Sequence, residues 1–398
     1  MPPMNGPPRL PVVLTLGSAQ TLAWASSFYL PAVLAAPIAR ELGTAPTTVF
    51  AAFSLALAVS AFVGPTAGRF IDRRGGRPLL MATNVLFAAG LALLAVADGP
   101  WFLFSAWLLL GIGMGCGLYE AAFSTLVHLY RTEARGAITG ITLIAGFAST
   151  VGWPLTALME AQFGWRGACL GWAALHLLAG LPLNASLPRT GPPVEAGPAP
   201  AAAAVHAVPS RWPAVLLATV FALTAFIATA LAAHLPGLLQ AAGASLAVAV
   251  AAGALIGPAQ VGARLLEFGL MRRVHPLLSA RLAALAHPIG ALLLLAFGAP
   301  AAALFALLHG GGNGVMTIAK GTLPLAVFGA HGYGARQGWL MLPARVMTAA
   351  APLLFGAVLA QAGAGALWLS AALGLVVAAA LMALRVAAPP PAPALRPS

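Results

Sequence analysis

Apolar residues recur along this chain in runs of about 20, the length at which a helix crosses the hydrocarbon core of a bilayer. Pro, Gly or a charged residue ends each run. Twelve runs can be drawn, at about 12–37, 47–70, 78–97, 101–127, 136–159, 166–187, 212–240, 246–270, 277–298, 300–327, 334–361 and 364–386. The pattern predicts an all-α, polytopic membrane protein of twelve transmembrane helices. One stretch interrupts it. Residues 188–211, from Pro188-Arg189 to Ser210-Arg211, are rich in Pro and Ala and too broken by Pro to span. This linker divides a first six-helix bundle, 12–187, from a second, 212–386, with short tails at 1–11 and 387–398.

The two halves repeat one another. The second helix contains Gly64-Pro65, is followed by a basic loop, and the chain re-enters at Pro78-Leu79-Leu80-Met81-Ala82. The eighth contains Gly257-Pro258, is followed by Arg272-Arg273, and re-entry begins at Pro276-Leu277-Leu278-Ser279-Ala280. Gly111-Ile112-Gly113-Met114-Gly115-Cys116-Gly117 in the fourth helix is echoed by Gly310-Gly311-Gly312-Asn313-Gly314 in the tenth. Together these echoes predict a duplicated six-helix unit, the build of many secondary transporters.

Composition agrees. Of 398 residues, 61% are hydrophobic and 7% charged, against about 25% charged in an average soluble domain. A water-facing surface cannot be made from so few charges, so lipid must cover the remainder. The net charge of +12 does not point to nucleic acid, because the basic residues sit in short loops between spans. With the N-terminus inside, Arg9, Arg69, Arg73, Arg74, Arg77, Arg131, Arg135, Arg189, Arg211, Arg272, Arg273, Arg281, Arg336, Arg385 and Arg396 are cytoplasmic, and only Arg40 and Arg166 lie opposite. Both termini are therefore expected in the cytoplasm. The near-exclusive use of Arg as the basic residue suggests a bacterial protein, hence the cytoplasmic (inner) membrane. Cys116 and Cys169 lie inside apolar spans, which leaves no disulfide framework and no zinc site.

The loop after the second helix reads Gly68-Arg69-Phe70-Ile71-Asp72-Arg73-Arg74-Gly75-Gly76-Arg77. Gly68 allows close helix approach, Gly75 and Gly76 a tight turn, and four neighbouring Arg are expected to hold Asp72 ionised. The loop resembles the major facilitator signature Gly-x-x-x-Asp-Arg-x-Gly-x-Arg, matched at Gly68, Asp72, Arg73, Gly75 and Arg77. Twelve spans, the central linker and Phe163-Gly164-Trp165-Arg166 extend the resemblance over the whole chain. It implies alternating access, with this loop latching the halves. Drug–proton antiporters of the superfamily carry an Arg where Trp107 stands and a Gly-Pro pair where this chain has Gly152-Trp153-Pro154. Arg264 in the eighth helix looks more like the monocarboxylate transporter and oxalate–formate antiporter branch. Gln260 replaces the Asp that precedes such an Arg in monocarboxylate transporters, and no Lys occurs near Trp24–Tyr29.

Ionisable residues inside spans are costly, about 2–3 kcal/mol each on insertion scales, and mark function by default. Glu120, Arg264, Glu267, Lys320 and Arg345 all fall on helices that the resemblance places around one central cavity. Arg345, near mid-span, and Arg264 are expected to bind substrate, with Gln260, Asn313, Trp24, Tyr29, Tyr119 and His234 alongside. Glu120, Glu267, Lys320 and His309 are expected to couple or gate. Two pairings are foreseen, Arg264 with Glu267 three residues on, and Glu120 with Lys320. Three positive groups against two negative favour an anion, and guanidinium forks match carboxylates. Trp101, Trp165, Trp212 and Trp368 read as interfacial anchors. There is no phosphate-binding loop for direct ATP coupling and no metal-ligand spacing. The expectation is a monomeric secondary transporter, not an enzyme, without cofactor, that moves a small organic anion by proton coupling or exchange. A drug exporter and a transporter-like receptor are the alternatives.

Overall fold

A computed structural model describes residues 7–189, 211–270 and 274–385. Arg272, Arg273, Arg396, most of the linker and the outer parts of both tails lie outside the described residues. Every regular element among the described residues is helical. Twelve passes can be traced. α1 is Arg9–Ser26 and Pro31–Glu41, α2 Pro46–Arg74, α3 Arg77–Ala95, and α4 Pro100–Gly117 with Tyr119–Tyr130. α5 begins at Arg135–Ala145 and enters the run Ala148–Leu175, which turns at Gly164 (φ 69°). Beyond that turn α6 continues through a π-helical turn, His176–Gly180, to Leu181–Ala185. The second half holds α7 Trp212–Ala241, α8 Leu246–Ala254 with Ile256–Gly269, α9 Pro276–Phe297, α10 Ala302–Phe328, α11 Tyr333–Ala362 and α12 Ala366–Ala383.

Pro opens α4 and α9, where its missing N–H would have no intrahelical partner anyway. Gly75, Gly298, Gly329 and Gly363 close α2, α9, α10 and α11 with positive φ. Seven helical stretches are individually long and apolar enough to cross a membrane. Among the described residues, Pro100–Ala185 is one near-continuous stretch of 86 residues holding three passes, Leu354–Ala383 joins the end of α11 to α12, and breaks at 27–30 and at Leu255 cut α1 and α8 into shorter pieces.

The duplicated glycines set the frame. A Cβ on Gly111 would meet the Ala56 backbone and one on Gly115 the Ser60 backbone, so α4 crosses α2 almost backbone to backbone. Gly310 stands in the same way against Ile256, and Gly314 against Gln260, where α10 crosses α8. Such contact lets van der Waals packing hold helices that gain nothing from hiding apolar surface from lipid. Large apolar side chains such as Phe62, Leu178 and Leu270 remain over 70% exposed on the outside, as a lipid-facing surface requires. Trp101, Trp212 and Trp368 are exposed at helix ends, but Trp165 is buried and donates to Glu41 at 2.6 Å. That corrects its reading as an interfacial anchor; a nearby carboxylate at the helix end draws the indole inward.

Arg9, Arg73, Arg74, Arg131, Arg135, Arg281 and Arg336 share one end of the molecule, called here the basic end. The halves meet there. A packed cluster joins Ile71, Phe123 and Ile138 of the first bundle to Leu325 and Tyr333 of the second.

Candidate functional site

Asp72 ends α2 facing the first turn of α11. Its two carboxylate oxygens accept the Gly334 and Ala335 backbone N–H groups, each at 2.9 Å. Those are among the amides at a helix start that have no intrahelical carbonyl, and the helix dipole there favours an anion. The approach needs Gly68, because a Cβ at that position would run into the Gly334 carbonyl. Gly75, at φ 77°, ends the helix before the chain turns into α3. Arg73 lies exposed in the last turn of α2, where a cation suits the helix C-terminus, and Arg77 begins α3. The four neighbouring Arg expected around Asp72 make no ion pair with it: among the described residues no basic side chain reaches salt-bridge distance, and its hydrogen-bond partners are backbone amides across the bundle interface. A helix start on the other half is invisible to local spacing.

At mid-depth, Arg345 of α11 donates to Glu120 of α4 at 2.9 Å and to the Ser60 carbonyl of α2. Glu120 opens the second segment of α4, after the break at Leu118. The pairing foreseen between Glu120 and Lys320 is therefore replaced by one with Arg345, whose longer arm reaches across from α11. Among the described residues no carboxylate lies within salt-bridge distance of Lys320, although Glu120 and Arg264 both act on it electrostatically.

Arg264 is 5% exposed and also differs from expectation. It makes no ion pair with Glu267. Its contacts are long ones to oxygen: the Thr142 carbonyl at 3.2 Å, the Gly314 carbonyl at 3.4 Å and Gln260 Oε1 at 3.4 Å. Thr142 belongs to the first bundle, so this side chain also bridges the halves. Gly146, at the break in α5, lies against the guanidinium and leaves no room for a Cβ. Tyr29 and Tyr119 lie within electrostatic reach of Arg264. Trp24 packs on Tyr119 with ring centroids 4.9 Å apart, and on Tyr29 at 6.2 Å. Trp24, Tyr29, Tyr119, Glu120, Gln260, Arg264, Lys320 and Arg345 thus gather between the bundles.

Four predicted residues lie elsewhere. Glu267, 2% exposed, binds Arg135 of α5 at 2.8 Å, and Arg135 also donates to the Val274 carbonyl. This is a fourth tie between halves, nearer the basic end. The i,i+3 spacing suggested Arg264 as partner, but the guanidinium turns towards α5 and α10 instead. His234 stands against Phe355 and Gly356 of α11, within the second bundle. Asn313 and His309 face a cavity inside that bundle, together with His287.

Sequence reasoning missed Ser60, Thr142, Arg135, His176, Asn84 and His287. Ser60 and Thr142 contribute backbone carbonyls, which carry no sequence signal. Arg135 was counted only among topogenic charges. His176 and His287 sit on α6 and α9, helices that carry none of the ionisable residues singled out at membrane depth. His176 is fully buried; its Nδ1 lies 3.0 Å from Asn84 Oδ1 and its Nε2 2.7 Å from Ser26 Oγ.

The sequence profile of the Major Facilitator Superfamily matches residues 16–319. This chain belongs to that superfamily. It is a multi-pass membrane transporter, and not an enzyme. Among solved structures, the superfamily fold recurs in the fucose:proton symporter of E. coli, with a TM-score of 0.71 over 94% of this chain and 98% of that one at 15% identity. A proton:xylose symporter aligns with the same TM-score over 93% and 94% at 15% identity. At that identity the likeness concerns the fold. Among curated proteins, "Multidrug resistance protein MdtH" of Yersinia pestis (strain Pestoides F) is 30% identical over 139 residues, 35% of this chain and 34% of that protein. The same protein of Yersinia pseudotuberculosis (strain IP32953) matches equally. The alignment therefore spans about a third of the curated relatives' length.

Proposed function

We propose that this superfamily member carries a small organic anion, a carboxylate, by rocking the bundles 12–187 and 212–386 about the cluster between them. The observation that carries this reading is the state of the cations. Arg345 is neutralised by Glu120, whereas Arg264 and Lys320 have no carboxylate partner among the described residues. Poorly compensated positive charge is costly in a low-dielectric interior, and an entering anion relieves that cost. Arg264 supplies the fork for a carboxylate and Lys320 a second, point-like charge. Tyr29, Tyr119 and Gln260 supply hydroxyl and amide groups to the rest of the solute.

The positive-inside distribution of Arg supports placing the basic end, and both termini, in the cytoplasm. The ties through Asp72, Glu267, Arg264 and Arg345 then describe a form shut on the cytoplasmic side, and transport requires all of them to exchange partners. Such a transporter works as a monomer and takes its energy from a proton gradient or from exchange. The Arg in the eighth helix supports placement near the monocarboxylate and oxalate–formate carriers. The resemblance to a multidrug resistance protein over 139 residues favours the second reading, a drug exporter.

Counterflow into proteoliposomes separates these readings. Mono- and dicarboxylates should exchange, and Arg264→Lys, which keeps charge but loses the fork, should weaken their apparent affinity about tenfold or more, the scale of a charge-assisted hydrogen bond. Exchange of lipophilic cations alone would establish the exporter. Binding without movement of any solute would indicate a receptor.

A further inference from the structure

We propose that His287 and His309 form a shared-proton site inside the second bundle, separate from the cluster that binds the solute. The proposal extends the transporter reading by locating the coupling proton. His287 of α9 and His309 of α10 are 7% and 5% exposed, and their Nδ1 atoms lie 3.1 Å apart. Both rings line a cavity between α7, α9, α10 and α12 that also holds Thr224, Ala284 and Asn313. His287 Nε2 is buried without a hydrogen-bond partner. Pro288, next in sequence, removes the N–H that would bond the Ala284 carbonyl, so a freed backbone acceptor belongs to the same cavity wall.

Nitrogen chemistry fixes what this arrangement can do. A neutral pair with Nδ1 facing Nδ1 carries one proton between the rings, donated by one and accepted by the other. The accepting ring then bears its own N–H at Nε2, and the donating ring has a bare Nε2. With His287 as the donating ring, its unpartnered Nε2 is the bare nitrogen. An added proton binds that bare nitrogen, and the inter-ring bond becomes a charge-assisted one from imidazolium to imidazole. The Ser370 backbone of α12 lies beside His287 and can take up the new N–H.

The surroundings leave the pair to titrate on its own. α7 contributes Thr224, Ile227 and Ala228 to the cavity, and α12 contributes Gly374 and Val377, none of them titratable. Arg264 of α8 meets α10 at Gly314. Lys320 lies 11 residues along α10 from His309, about 16 Å at helical rise. Arg281, on the same helix as His287, is held at the basic end by the Leu381 and Leu384 carbonyls. Arg345 turns to the first bundle, where it meets Glu120, and Arg135 of that bundle is held by Glu267.

Proton uptake by the detergent-solubilised full chain, followed with indicator dyes from about pH 8 to about pH 3, which reaches past the range of a free imidazole, tests the site. His287→Asn with His309→Asn keeps an amide near each Nδ1 position but cannot titrate. The double variant should take up one proton fewer per chain than the wild type. No difference would overturn the proposal, and so would a deficit of two, which means independent histidines. Should the double variant fail to fold, 15N-histidine spectra of the wild type decide instead. Two imidazoles should shift together through one common step, and two rings that do not titrate, or that titrate separately, would overturn the site. No solute is present, so the result stands apart from whether a carboxylate is carried.

Discussion

The two bundles share a frame and differ in how they satisfy their buried polar groups. In the first, His176, Asn84 and Ser26 close a network on themselves. Asn84 Nδ2 donates to the Leu80 carbonyl at 2.8 Å, which turns Oδ1 to the imidazole, and Ser26 meets the other ring nitrogen. Both ring nitrogens therefore have a partner, Nδ1 the Asn84 amide oxygen and Nε2 the Ser26 hydroxyl, with the tautomer assigned from the network. In the second bundle the pair His287–His309 leaves one nitrogen open. Its charged residues look outward as well, with Arg345, Arg264 and Glu267 all finding partners on the first bundle. Polar groups that close within a bundle make it rigid, whereas those that close between bundles can be exchanged when the bundles rock. The ties between the halves draw on both bundles, and the two differ in that one histidine network is closed within its bundle while the other leaves a nitrogen open.

The comparison is broken most severely at the tie between Arg345 and Glu120. Glu120→Gln leaves a guanidinium unpaired in the membrane interior and should cost about 3 kcal/mol, read as a lower melting temperature in detergent. Glu120→Gln combined with Arg345→Gln should recover most of that loss, which a merely local packing defect would not do. Next come the duplicated crossings. A Cβ on Gly111 would stand 2.5 Å from the Ala56 carbonyl oxygen, and one on Gly314 2.5 Å from that of Gln260. Gly111→Ala and Gly314→Ala should therefore each destabilise by about 1–3 kcal/mol of overpacking, and by similar amounts. A large inequality in their melting shifts would show that the frames are not equivalent.

His176→Phe keeps an aromatic ring but strands the Asn84 acceptor, at about 1–2 kcal/mol. Proton uptake should be unchanged in this variant, which sharpens the contrast with the other bundle. The smallest effect is expected at Asp72. Asp72→Asn retains an acceptor but loses the charge at the start of α11, worth about 0.5–1 kcal/mol. Expression should be normal and the tie between α2 and α11 loosened, measurable as faster cysteine labelling of residues placed along that contact. Unchanged labelling would argue that the charge does not brace this form.

Much of this was legible in the sequence. Runs of apolar residues fix the number of passes, because backbone groups in lipid must be satisfied within a helix. The loop Gly68–Arg77 showed the family, and the glycine clusters at 111–117 and 310–314 showed the duplication, since close crossings demand glycine whatever surrounds them. The ionisable residues at membrane depth were also found, because their cost makes them stand out against 61% hydrophobic residues. What the tertiary structure alone decided is who pairs with whom. Spacing along one helix suggested Arg264 with Glu267, and likeness of position suggested Glu120 with Lys320, yet each carboxylate is met by an arginine from the opposite half. Local sequence constrains contacts within a helix; contacts between bundles depend on how two rigid bodies are docked, and on carbonyls and helix starts that every residue type supplies alike. The histidine pair escaped for a related reason: His309 stood out alone, but its partner His287 lies on a different helix, and the two acquire chemistry together only where packing turns their rings towards each other.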